Sequence, residues 1–172
     1  MKRYLLACFA LMLLHGSPLT AQTTVRDTCL AVDSVIGESM KYLDTPYRWA
    51  GKTPKGFDCA GFTRYVFSKF GVSLAPSAGG QYRECRHIAD STLQVGDLVF
   101  YGGRKSTKAV GHVGLVTEVN DDGSFRFIHS STQSGIVITY SKEPYYRKRY
   151  IGACRIIVCN SPEAGKNTGE TP

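Results

Sequence analysis

The 172-residue chain contains no Cys-x-x-Cys pair, and its four histidines lack the spacing of zinc ligands, so no metal site and no cofactor are expected. No apolar run is long enough to cross a bilayer as a helix, which takes about 20 residues. There is no internal repeat, no second domain and no sustained run of one charge. The basic residues are scattered, apart from Arg104-Lys105 and Arg147-Lys148-Arg149. A solvated basic face fits that scatter better than a nucleic-acid-binding surface. Tyr145 to Tyr150 reads as a strand-edge surface that can also meet glycan or acidic groups.

What is present begins with a leader. Met1-Lys2-Arg3 is basic, Tyr4 to Leu14 is apolar, and Gly16-Ser17-Pro18 breaks the run before Ala21. A basic start, a short apolar stretch and a small residue at the exit describe a secretory signal peptide over residues 1–21. Leu5-Leu6-Ala7-Cys8 looks like a lipoprotein cleavage site, but too few residues precede Cys8 for separate basic and apolar regions. Cys8 is read as part of the leader. Cleavage after Ala21 leaves 151 residues, enough for one domain, with 19 basic and 14 acidic side chains. The product is exported, periplasmic or extracellular, and has no stable membrane insertion. Its net +5 suits a polyanionic surface such as a bacterial envelope.

Five cysteines remain after cleavage: Cys29, Cys59, Cys85, Cys154 and Cys159. An odd number leaves at least one thiol unpaired unless chains are bridged. If Cys59 is that thiol, the other four allow three pairings, all open at this level.

Along the chain, Ala31 to Leu43 carries apolar residues at helical spacing, and Pro46 bars its continuation. Cys59 to Phe70 places Phe62, Val66 and Phe70 on one helical face, with Asp58 at the N-cap and Gly71 as the stop. A short helix is expected over Ser77 to Cys85. Beyond it the period falls to two. Strands are expected over Val95–Tyr101, His112–Val119, Ser124–His129, Ile136–Tyr140 and Tyr150–Val158, with a turn at Asn120–Gly123. Helices first and strands afterwards describe an α+β fold, its N-terminal helices packed on an antiparallel sheet of about five strands. Residues 160–172 are polar, with Gly, Pro and Glu and few apolar side chains, and read as a disordered tail.

The chemistry centres on Cys59. A thiol is mostly protonated near neutrality, and a helix start and a nearby imidazole both favour the thiolate. His112, at a strand start, can serve as base and then acid. Its other nitrogen needs a partner to fix the ring. His129, at the end of the paired strand, is the candidate, because a hairpin brings one strand's start beside the next strand's end.

Asp58-Cys59-Ala60-Gly61-Phe62, Gly96 to Tyr101, Gly111-His112-Val113-Gly114-Leu115-Val116 and Phe127-Ile128-His129-Ser130 together resemble the NlpC family of cell-wall cysteine peptidases. Thr45 to Gly51 is similar to that family's Pro-Tyr-x-Trp-Gly-Gly segment. The resemblance runs from Val32 to Ile157 and implies a single papain-like catalytic domain, bounded here at residues 22–159. It also implies Cys59 as nucleophile, His112 as general base and His129 as orienting residue. Tyr47, beside the nucleophile, is implied to bind substrate or the oxyanion. Asp58 is implied to bind the free amino end of a peptidoglycan stem peptide, with Ser77 a further substrate-binding candidate. The implied reaction is hydrolysis of the bond between γ-D-glutamate and a diamino acid. A related thiol amidase or acyltransferase, or a catalytically silent wall-binding module, are the alternatives. Three positions depart from the family's commoner residues: Ala50, Ala60 and Ala78, where a serine is usual and Ser77 stands one place early.

Overall fold

The computed structural model describes residues 32–104 and 106–156. The expected leader, Cys29, Cys159 and the 160–172 tail lie outside the described residues. In chain order the elements are α1 (Val32–Met40), β1 (Lys52–Thr53), β2 (Gly56–Phe57), α2 (Cys59–Ser68), α3 (Ala78–Glu84) and β3 (Arg86–Ile88). A single 3-10 turn at Asp90–Thr92 leads to β4 (Leu98–Gly102), β5 (Val110–Val119), β6 (Phe125–Ser131), β7 (Gly135–Tyr140), α4 (Pro144–Arg147) and β8 (Tyr150–Arg155).

The main sheet runs β3-β8-β4-β5-β6-β7, and every neighbouring pair is antiparallel. It has six strands, one more than the sequence pattern suggests. The extra strand, β3, is three residues long, mostly exposed and without an apolar period. It exists because Arg86, His87 and Ile88 pair with Arg155, Cys154 and Ala153 across β8. The β4 strand starts at Leu98 rather than Val95, because Gly96 turns the chain at φ 93° and Asp97 folds its carboxylate back onto the Gln94 N–H at 2.7 Å.

The alternation along β4 explains why both sheet faces are covered. Leu98 and Phe100 face α2, where they pack with Phe62, Val66, Phe67, Val113, Leu115 and Ile128. Val99 and Tyr101 face the other way, into a second cluster with Val116, Phe125, Phe127 and Ala153, closed by Tyr146 of α4 and Tyr150 of β8. A fully buried aromatic or aliphatic side chain contributes about 1.5–3 kcal/mol, so the two clusters dominate stability.

A disulfide joins Cys85, just after α3, to Cys154 on β8, and Cys59 is a free thiol. The bridge ties the α3–β3 corner to the sheet. Of the expected pairings, it establishes the Cys85–Cys154 bond.

Candidate active site

Cys59 opens α2, and the start of that helix is held on three sides. Asp58 has extended backbone, and its carboxylate accepts the Gly61 N–H at 2.6 Å, which satisfies a helix-start donor. Behind it, the Tyr47–Gly51 strap returns along β2: the Asp58 N–H donates to the Gly51 carbonyl at 2.9 Å, and the Arg48 N–H donates to Phe57 at 3.0 Å. A Cβ on Gly61 would collide with the Gly51 carbonyl oxygen, so the approach of strap to helix requires glycine there. On the third side lies buried Gln81 of α3. Its amide N–H group donates to Ala60 and Ala75 carbonyls, both at 3.0 Å, and its oxygen accepts from Thr63 at 2.8 Å. Sequence reasoning assigned Gln81 no role; its burial became visible only with the fold.

The imidazoles come from adjacent strands. His112 lies on β5 and His129 on β6, and His112 Nε2 is 3.0 Å from His129 Nδ1. The rings meet edge to face with centroids 4.9 Å apart. His112 Nδ1 is left free of that contact. Cys59 packs, half-buried, against the core cluster that includes Val113, the residue after His112 on β5. His129 is fully buried, and its Nε2 meets Thr139 Oγ1 at 2.9 Å and the Tyr146 hydroxyl at 3.3 Å. On β6 the next side chain, Ser130, is also buried, and it donates to the Phe57 carbonyl at 2.8 Å. That bond ties the imidazole-bearing strand to the segment that leads into Cys59.

The electrostatics differ from the expectation at Cys59. The helix-start N–H groups and the Val113 N–H do favour the thiolate, but burial outweighs them and pushes the thiol up to about 11. Burial likewise pushes His112 down to about 4. His129 is held well below its usual value by burial and by the neighbouring His112. Both shifts favour the uncharged forms, a thiol at Cys59 and a neutral imidazole at His112. An imidazole with that shift is unprotonated across the neutral range, the form a general base requires.

The remaining sequence candidates divide. Tyr47 is near enough to Cys59 and Asp58 for both to raise its phenol, after the larger effect of burial. Ser77 caps α3, its hydroxyl accepting the Gly80 N–H at 3.1 Å, and Ala78 behind it is buried. The α3 helix runs beside the start of β5, with Gly79 near the Val110 carbonyl. Ala50 takes a left-handed conformation, φ 54°, where the similar family segment has glycine. Among the described residues one group has the ligand types for a metal, Cys85, His87 and Cys154, but its two sulfurs are joined to each other.

The description "NlpC/P60 family" matches residues 44–155. The chain is 35% identical over 125 residues to the bifunctional muramidase/DL-endopeptidase CwlT of Bacillus subtilis, covering 72% of this chain and 36% of that protein. It is 37% identical over 112 residues to the murein DD-endopeptidase MepS/murein LD-carboxypeptidase of Escherichia coli, covering 64% of this chain and 55% of that one. The crystal structure of an NlpC/P60 family protein from Bacillus cereus superposes with a TM-score of 0.66 at 31% identity, covering 74% of this chain and 40% of that chain. This chain therefore spans only a third to about half the length of the curated relatives it matches.

Proposed function

The chain belongs to the NlpC/P60 family, and from that premise we propose that it is an exported cysteine endopeptidase that cuts peptidoglycan stem peptides at the γ-D-glutamyl–diamino acid bond. The observations that carry this reading are the pair of imidazoles joined at 3.0 Å and the free cysteine at a capped helix start. The DL-endopeptidase named in the Bacillus subtilis relative supports the bond, and the cell-wall hydrolases among the relatives support a wall-associated location. The leader over residues 1–21 supports export, to the periplasm or beyond it.

In the proposed reaction His112 Nδ1 takes the proton of Cys59, and the sulfur attacks the carbonyl carbon of the γ-D-glutamyl amide. The Cys59 backbone N–H and the Tyr47 hydroxyl hold the oxyanion of the tetrahedral intermediate. The His112 imidazolium then gives its proton to the departing amine, leaving a thioester on Cys59. Water, deprotonated by His112, attacks that thioester. The γ-carboxyl product leaves and the thiol is restored. Asp58 spends one carboxylate oxygen on its helix cap and keeps the other for the substrate's amino end. Ser77, an acceptor towards Gly80, retains a hydroxyl proton to donate to the peptide.

The test is digestion of purified peptidoglycan. The native protein releases stem-peptide fragments detected by mass spectrometry, and Cys59→Ala releases none while keeping its circular dichroism spectrum. Equal release by that variant would refute the assignment.

A further inference from the structure

The base role of His112 requires a particular arrangement of protons, and the source of that arrangement lies outside the Cys-His-His set. Between His112 Nε2 and His129 Nδ1 there is room for one proton. If it sits on His112 Nε2, the Nδ1 of His112 is bare and can take the thiol proton. The proton of His129 then lies on Nε2. If instead the shared proton belongs to His129 Nδ1, His112 carries its own proton on Nδ1 and presents a donor to the thiol. That tautomer is inactive as a base, and His129 Nε2 is then bare. The group opposite His129 Nε2 therefore selects the state of both rings.

Two hydroxyls stand there, and a hydroxyl can donate or accept. Thr139 is the nearer, at 2.9 Å, with Tyr146 at 3.3 Å. A base with a bare Nδ1 needs His129 Nε2 to carry its proton, and that proton needs an acceptor; the Thr139 oxygen, the nearer of the two, is placed to be it. Water cannot take its place, because His129 is fully buried, stacked on Phe127 at 4.9 Å and met edge-on by Tyr146 at 5.3 Å. The fold supplies Thr139 through the hairpin register: Thr139 on β7 pairs with Phe127 on β6, which sets it diagonal to His129 on the same sheet face. Tyr146 arrives separately, on α4.

We propose that Thr139, by accepting the His129 Nε2 proton, is the positioning residue that fixes the tautomers of the His129–His112 pair and so leaves His112 Nδ1 bare as the base. The hydrogen bonds then run from His112 to His129 to Thr139, each group donating to the next. The kinetic consequence rests on the peptidase reading above; the tautomer assignment does not.

Two measurements test it, one independent of activity. Long-range proton–nitrogen correlation spectra of the 15N-labelled native protein read the tautomers directly. His112 and His129 both protonated on Nε2 is the expected pattern, and a His129 bare at Nε2 overturns the proposal whether or not the protein digests peptidoglycan. In the kinetic arm Thr139→Val, close in shape but without the hydroxyl, lowers kcat by about 10- to 100-fold with KM little changed, the size seen when a partner orienting a functional imidazole is lost. Thr139→Ser recovers most of that loss, and Tyr146→Phe falls between. In Thr139→Val the Nε2–H pattern becomes mixed. Native kcat in Thr139→Val, or a loss that serine does not recover, rejects the role. If the native protein releases no fragment while its spectra show the expected tautomers, the peptidase reading fails and the positioning role stands.

Discussion

Replacing Gln81 by leucine removes three buried hydrogen bonds at once and puts nothing polar in their place. The Ala75 carbonyl loses its amide donor. The Ala60 carbonyl, inside α2, loses one of its donors, and Thr63 loses the Gln81 oxygen as its acceptor. Ala75 sits at 8% exposure and Gln81 at 2%, so water is poorly placed to repair the loss. A buried group left without its partner costs about 1–3 kcal/mol. One full orphan at Ala75 and partial losses at Ala60 and Thr63 give about 3 kcal/mol. For a domain of this size that corresponds to a fall in Tm of about 12 °C, at about 4 °C per kcal/mol. Thr63→Val removes the opposite end of one of these bonds and costs about 1–2 kcal/mol on the same grounds. Because the two residues share a bond, the double variant is less destabilised than the sum of the singles by about 1 kcal/mol. Calorimetric melts of the four proteins measure all of this. A Tm within 3 °C of native for Gln81→Leu, or strict additivity in the cycle, would refute the role of Gln81 as the clamp between α2 and the segment before α3.

Two other outcomes follow from the same structure. Cys85 and Cys154 are 69 residues apart in the chain, and closing a loop of that length stabilises by about 4 kcal/mol in the chain-entropy treatment; a thiol reductant should lower Tm strongly, and a non-reduced digest should yield the peptide pair containing these two cysteines. A Tm insensitive to reductant contradicts this. Alkylation of Cys59 should accelerate about tenfold per pH unit from neutrality towards about 11, and at pH 7 run about 100-fold slower than an unperturbed thiol. A rate that is flat between pH 5 and pH 8 would instead reveal a preformed thiolate.

The sequence and the structure agree best where a feature is local. Cys59–Ser68 was legible because Phe62 and Val66 sit one helical turn apart behind an aspartate that can cap, and the β5–β6 hairpin because Asn120 to Gly123 interrupts two alternating runs. The placement of His112 against His129 follows from that hairpin alone. What was not legible is what depends on distant chain. The third strand has no pattern of its own and exists through β8. The disulfide pairing needed the β3–β8 register. Thr139 is an ordinary strand residue until the register of β6 with β7 sets it beside His129. Tyr146, in sequence part of a basic and aromatic run, turns inward because α4 folds over the second cluster. The direction of the Cys59 shift was misjudged for the same reason: a helix start can be read from residues, but burial is a property of the assembled core.

The central claim is a Cys59 peptidase that cuts after γ-D-glutamate. It is tested most directly by incubating the protein with the tripeptide L-alanyl-γ-D-glutamyl-diamino acid and identifying the products by mass spectrometry. The account predicts L-alanyl-D-glutamate and the free diamino acid, formed by the native protein and not by Cys59→Ala. An intact tripeptide, or fragments that retain the γ-D-glutamyl–diamino acid bond while cleaved elsewhere, would contradict it.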